Sequence, residues 1–227
     1  MEFETWAPVY ESLLADFGYP RAGDEHARDR LATLLVDQST YDPADLPLAG
    51  ATVAIAGAGP SLEAEADRAS AADVVLAAST ATDRLESAGV AVDCMVTDLD
   101  KNPETGREFT ASGRPVAVHA HGDNVPAVER WVPEYDPTFV VPTTQAAPAD
   151  PVRNFGGFTD GDRAAFLADH FGAADLVFVG WDFDDPGVDA TKRQKLVWAE
   201  RLLHWLERRR GERFPVLDGR RDAIDPL

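Results

Sequence analysis

From Thr52 onward, short apolar runs alternate with longer amphipathic stretches, and no other feature constrains the fold of this chain so strongly. Runs such as Thr52–Ala56 and Val92–Thr97 are apolar almost throughout, the pattern of strands covered on both faces. The spacing predicts strands over Thr52–Ala56, Asp73–Ala78, Val92–Thr97, Pro115–His119, Thr138–Val141 and Leu176–Gly180. It predicts helices over Ser61–Ser70, Thr82–Ala88, Asn102–Ala111, Val125–Trp131, Asp162–Phe171 and Thr191–Arg210. Such alternation implies an α/β fold, a mostly parallel Rossmann-like sheet with helices on both faces. Sheets of that kind bind ligands beyond the carboxyl ends of their strands. Pro142 to Phe158, rich in Pro, Ala and Gly, reads as a long loop over that face.

Residues 1–48 read differently. Trp6, Val9, Tyr10, Leu13, Leu14 and Phe17 recur at helical spacing up to Gly18-Tyr19-Pro20, and a second helix follows from about Glu25 to Asp37. The domains expected are therefore an N-terminal helical segment, 1–48, and an α/β catalytic domain, 49–227. The apolar stripe of the first segment either caps the main domain or makes a homo-oligomer contact.

Charge narrows the choice of partners. The chain carries 40 acidic and 21 basic residues, a formal net charge of −19. Nucleic acid is disfavoured, because neutralising phosphates needs a basic face. No apolar run approaches a membrane span and Met1-Glu2-Phe3-Glu4 lacks a basic leader, so the expectation is a cytoplasmic protein with no membrane partner. The single cysteine, Cys94, excludes an internal disulfide. Eighteen of the basic residues are Arg and only three are Lys, an acidic, lysine-poor balance suited to a salt-accumulating, halophilic host. The three lysines, Lys101, Lys192 and Lys195, all lie beside acidic motifs.

Polar motifs cluster at the strand ends. Asp98 and Asp100 in Val96-Thr97-Asp98-Leu99-Asp100 are two residues apart, and in extended chain such side chains share a face. Paired carboxylates repel unless a cation lies between them, and oxygen ligands suit Mg²⁺ completed by substrate phosphates. The alternative is a turn and cap before Asn102-Pro103-Glu104. In His119-Ala120-His121-Gly122-Asp123-Asn124, Asp123 offers a third oxygen ligand, or else Asp123 or Asn124 caps the helix over Val125–Trp131. The two histidines lack the further ligands of a closed zinc site.

Gly57-Ala58-Gly59-Pro60-Ser61-Leu62 follows the first strand. It reads either as a phosphate-binding turn, through Gly57, Gly59 and Ser61, or as a tight strand–helix turn. A dinucleotide fingerprint would need an acidic end to the second strand, where Ala77-Ala78-Ser79 stands. No P-loop run is present. Gly156-Gly157-Phe158-Thr159-Asp160-Gly161-Asp162-Arg163 pairs glycines suited to a mobile loop with a helix start, and Arg163 either faces a phosphate or pairs with a nearby acid. Gly180-Trp181-Asp182-Phe183-Asp184-Asp185 precedes Lys192 and Lys195, which are one helical turn apart. Cations in a first turn oppose the helix dipole, so an anion should offset them, either the neighbouring aspartates or a triphosphate.

Taken in order, GAGPSL, TDLD, HAHGDN, GGFTDGDRA, GWDF and the K-x-x-K-L helix resemble the archaeal 6-hydroxymethyl-7,8-dihydropterin pyrophosphokinases (MptE-like), from about Thr52 to Leu206. The catalytic core of that family is similar to thiamine pyrophosphokinases. The resemblance implies diphosphate transfer from ATP to a pterin alcohol with release of AMP, Mg²⁺ as cofactor, and metal roles for Asp98, Asp100 and Asp123. It implies ATP-phosphate contacts at the Gly57–Ser61 turn and a place in folate or methanopterin biosynthesis. Lys101 stands where the family would have a small residue. A flat pterin needs stacking partners, for which Phe155, Phe158 and Trp181 are candidates. Rival readings are a thiamine-type pyrophosphokinase, a D-x-D glycosyltransferase using a nucleotide sugar, and a non-catalytic Rossmann-like regulator.

Overall fold

Burial of the N-terminal stripe follows its periodicity. In the computed structural model, which describes residues 1–227, Trp6, Val9, Tyr10, Leu13 and Leu14 are all buried along one face of the first helix. That helix ends at Gly18, whose φ of +67° lets its N–H close back on the Leu14 carbonyl. In chain order the elements are α1 (Phe3–Phe17), α2 (Arg21–Leu35), β1 (Thr52–Ala56), α3 (Ala66–Ser70), β2 (Val74–Ala78), α4 (Ala81–Ser87), β3 (Cys94–Thr97), α5 (Pro103–Ala111), β4 (Val116–Ala120), α6 (Val125–Trp131), β5 (Val140–Thr144), α7 (Asp160–His170), β6 (Asp175–Val179) and α8 (Ala190–Arg210). All strand pairings are parallel. The α/β architecture expected from the alternation is what the chain adopts.

Two compact units are present, and each is built from two stretches of chain. The first unit comprises Met1–Pro47 and Asp93–Gly156. The N-terminal helices therefore fold together with β3, β4 and β5, which lie in the order β5-β4-β3. Helix α2 packs on β4, β5 and α6, and its buried residues include Ala27, Leu31 and Leu35. Strand β5 runs three residues, Pro142 to Thr144, into the segment expected to be loop. It accommodates Pro142 because it has a strand neighbour on one side only, so a missing N–H breaks no ladder there.

The second unit comprises Leu48–Val92 and Gly157–Leu227, with strand order β2-β1-β6. Every residue from Val53 to Ala56 and from Val74 to Ala78 is buried. Helix α7 packs on β1, β2 and α8, while α3 packs on β1 and β6. Chain order reverses at β1, with β2 on one side and β6 on the other, which makes the carboxyl ends of β1 and β6 a topological switch point. No helix is long and apolar enough to cross a membrane.

Candidate active site

At the tip of β3 the backbone does not stay extended. Leu99 takes a left-handed φ of +68°, so Asp98 and Asp100 are related by a turn rather than by the pleat of a strand. A non-glycine residue in that region costs on the order of 1–3 kcal/mol. Two observations account for its persistence: the Leu99 side chain is buried, and its N–H is donated to Thr97 Oγ1 at 2.9 Å. The Asp100 N–H in turn reaches Asp98 Oδ1 at 3.3 Å. Asp98 is mostly buried, with 17% of its side chain exposed, and Asp100 is exposed.

The second oxygen of Asp98 lies 3.4 Å from His121 Nε2. Asn124 fixes this arrangement. Its amide donates to the Asp98 carbonyl at 2.8 Å and to the His119 carbonyl at 2.7 Å, and its oxygen accepts the His121 N–H at 3.0 Å. A residue with the look of an ordinary helix cap thus joins the tips of β3 and β4 instead, and it makes no side-chain cap bond to α6. His119 is a core residue. The Thr143 hydroxyl donates to the Val118 carbonyl, so its oxygen is left to accept from Nδ1 of His119 at 3.1 Å.

Asp123 follows on the β4–α6 loop and is exposed. Its charge helps raise the pKa of the Tyr19 hydroxyl, after burial as the larger cause. No three carboxylate, histidine or cysteine side chains converge closely enough to hold a metal ion. The acidic tips of β3 and β4 therefore do not form an all-protein cage. The donor set is nevertheless of the kind Mg²⁺ takes with a nucleotide, since it needs only one or two carboxylates when phosphates and waters fill the remaining positions. Asp98 and Asp100, one turn apart and oxygen-bearing, fit that more modest role.

At the switch point of the second unit, the glycine turn closes on the end of β6. The N–H groups of Gly57 and Gly59 are donated to the carbonyls of Val179 and Gly180, each at 2.9 Å. Asp182 Oδ2 accepts from the Ser61 N–H at 2.9 Å and from the Ser61 hydroxyl at 2.7 Å. A carboxylate oxygen thus takes both of the Ser61 donors in the turn. The glycines are needed for this approach: a Cβ on Gly59 would come within 2.7 Å of the Gly180 carbonyl oxygen. The expected helix from Ser61 is correspondingly shortened, running as a 3-10 turn over Glu63–Glu65 before α3. Arg84 braces the turn from outside, donating to the carbonyls of Ala58 and Gly59 and pairing with Glu63.

The remaining basic candidates are distributed through the same unit. Arg163 is buried and donates to Asp160 at 2.8 Å, the acid-pairing alternative. Gly157, with φ +94°, packs against it so tightly that a Cβ would lie 2.6 Å from the Arg163 Cα. Asp162 is fully buried, which raises its pKa, and it caps α7 through Phe158 and Thr159. Lys192 is exposed at the start of α8, where Asp189 caps the helix through the Lys192 N–H at 2.7 Å. Lys195 lies 5.7 Å from the centre of the Phe158 ring. Of the stacking candidates, Phe155 and Phe158 are buried within their units. Trp181 is half-buried, with its indole N–H on the Ile55 carbonyl.

A parallel α/β protein with acidic strand tips and a glycine turn at its switch point belongs, by architecture, among the Rossmann-like ligand-binding folds. Comparison gives the family. The model for "6-hydroxymethylpterin diphosphokinase MptE-like" proteins matches residues 29–187, and the chain belongs to that family. It is 38% identical over 225 residues to a 6-hydroxymethyl-7,8-dihydropterin pyrophosphokinase of Methanothermobacter thermautotrophicus, covering 92% of this chain and 96% of the relative. A protein of the same name from Pyrococcus furiosus is 37% identical, with 91% and 95% covered. Another, from Methanocaldococcus jannaschii, is 30% identical, with 91% and 96% covered.

Proposed function

We propose that this protein transfers a diphosphate group from ATP to the hydroxymethyl oxygen of 6-hydroxymethyl-7,8-dihydropterin. The observation that carries this reading is the 38% identity to a relative of that name over 92% of the chain. In the reaction the alcohol oxygen bonds to the β-phosphorus, the bond from that phosphorus to the α,β-bridging oxygen breaks, and AMP leaves. Catalysis of such a transfer is chiefly positioning and neutralisation of developing charge, with no covalent nucleophile on the protein. Mg²⁺, if held by Asp98 and Asp100, would supply most of that neutralising charge.

Asp98 and Asp100 would hold the metal, held in turn by Asn124 and the Leu99 turn. Asp123 extends the acidic rim, and a carboxylate of this group accepts the alcohol proton. In the second unit the Ser61 N–H and hydroxyl receive a phosphate once Asp182 gives them up, and Lys192 and Lys195 supply positive charge along one face of α8. The test is an assay with ATP, Mg²⁺ and the pterin alcohol in molar salt, scored for AMP and the pterin diphosphate. Thiamine and UDP- or CMP-sugars serve as alternative substrates in parallel. Turnover of thiamine or of a nucleotide sugar, with none of the pterin, would replace this assignment.

A further inference from the structure

Asp24 lies in the first turn of α2, far in sequence from the acidic strand tips, and the residue is 3% exposed. Burying a carboxylate is costly unless its oxygens are fully partnered. Here both are. Oδ1 accepts the Gly122 N–H at 2.8 Å, and Oδ2 accepts the Tyr10 hydroxyl and the Gln145 amide, each at 2.8 Å. Burial, and then Asp24 itself, raise the pKa of Tyr10, which keeps that hydroxyl protonated as a donor. Three elements meet on one side chain: α1 through Tyr10, the end of β5 through Gln145, and the β4–α6 loop through Gly122.

The backbone geometry points the same way. Gly23 and Gly122 pack main chain to main chain, so a Cβ on either would sit 3.3 Å from the other's backbone. Trp6 adds a second grip, donating its indole N–H to the Gln145 carbonyl at 3.0 Å. An apolar residue at position 24 would leave the Tyr10 hydroxyl, the Gln145 amide and the Gly122 N–H without this acceptor. One of the three bonds the carboxylate accepts fixes the Gly122 N–H, between His121 and Asp123. His121 reaches Asp98, and Asn124 in the same loop holds the Asp98 backbone.

We propose that Asp24 is a positioning residue, and that the α1–α2 hairpin sets the His121–Asn124 loop in the geometry that phosphoryl transfer requires. The inference rests on the function proposed above, and its test is chosen to stand apart from it. The full chain is prepared in molar salt as wild type, Asp24→Asn, Gln145→Glu and the double variant, with Asp98→Asn as a control. Hydrogen exchange at the amides of 121–124, the thermal midpoint, and kcat and KM for ATP are measured on each.

Asp24→Asn turns an amide toward the Tyr10 and Gln145 donors, and Gln145→Glu sets two carboxylates face to face. Each single change should speed exchange in 121–124 roughly tenfold or more and lower kcat by at least about tenfold with little change in KM. The double variant re-forms an amide–carboxylate pair with its direction reversed, leaves Oδ1 for the Gly122 N–H, and lets the Tyr10 hydroxyl turn to accept the second amide hydrogen. It should recover both quantities to within about threefold of wild type. Asp98→Asn should abolish turnover while leaving exchange in the loop unchanged. Lower thermal midpoints in the single variants with exchange and kcat unaltered, or a double variant that recovers neither, would overturn the proposal. A wild type that forms no AMP would refute the function reading, while the exchange pattern still decides whether Asp24 holds the loop.

Discussion

Replacing Asn124 by alanine tests how the acidic strand tips are held. The Asn124 side chain makes three hydrogen bonds of 2.7 to 3.0 Å, to the carbonyls of His119 and Asp98 and from the His121 N–H, and the residue is 6% exposed. At about 1 kcal/mol net for each bond, with an added penalty for backbone groups left unpaired out of water, the loss should be about 3 to 5 kcal/mol. In a chain of this size that lowers the thermal midpoint by roughly 6 to 20 °C. Urea denaturation at constant high salt is the assay: the midpoint should fall with the slope unchanged. At a temperature where the variant is still folded, AMP formation should fall at least about tenfold, because Asp98 loses its backbone anchor. Asn124→Asp, nearly the same in shape but unable when ionised to donate to either carbonyl, should be at least as damaging. A stability loss under about 0.5 kcal/mol, the size of an ordinary surface change, would refute this reasoning.

Other consequences follow from the same geometry. Asp98→Asn and Asp100→Asn should each abolish turnover with a thermal midpoint within a few degrees of wild type, since the amide oxygen introduced at position 98 can still accept the Asp100 N–H; wild-type rates in either would remove the metal assignment. Lys192→Ala should raise KM for ATP several-fold and leave kcat within about twofold, and an unchanged KM would return that lysine to a purely solvated role. The hydrogen bond from Arg84 holds the Glu63 carboxyl at about 2, against its ordinary 4.5, so the pair's contribution is present above 4.5 and is lost as pH falls through about 2. Carboxyl NMR should find that midpoint near 2 in wild type at low salt and back near 4.5 in Arg84→Ala; identical titrations would deny the contact.

Much of the framework can be read from periodicity alone. Strand β1 and helix α6 fall at the residues their patterns predict, and the other strands and the long helices fall within a few residues of prediction, because doubly covered strands and amphipathic helices carry their burial in the sequence. Elements shaped by distant partners are less legible. The expected helix from Ser61 begins as a 3-10 turn over Glu63–Glu65, beside a Ser61 whose N–H goes to Asp182, 121 residues away. Strand β5 continues through Pro142 because only its place at the end of the strand order makes a missing N–H harmless.

The site shows the same division. Asp98 and Asp100 stand out as carboxylates after an apolar run, but the left-handed Leu99 between them, and hence the turn, has no sequence signal. Asn124 reads as a helix cap and acts as a bridge between two strand tips. Asp24 falls just before the helix expected from about Glu25 and carries no signal of its own; only the fold reveals that it is buried on three donors. For Asn124 and Asp24 the missing information is a long-range hydrogen bond, which residue spacing cannot encode.

The central claim is that the acidic tip of β3 supports diphosphate transfer from ATP to a pterin alcohol. Its most direct test compares wild type with Asp98→Asn, in molar salt, with ATP and 6-hydroxymethyl-7,8-dihydropterin, before and after chelation and re-addition of Mg²⁺. The account predicts AMP and pterin diphosphate in equal amounts from wild type, their loss on chelation, their return with Mg²⁺, and neither product from Asp98→Asn. Product formation that survives chelation, or equal rates from the two proteins, would contradict it.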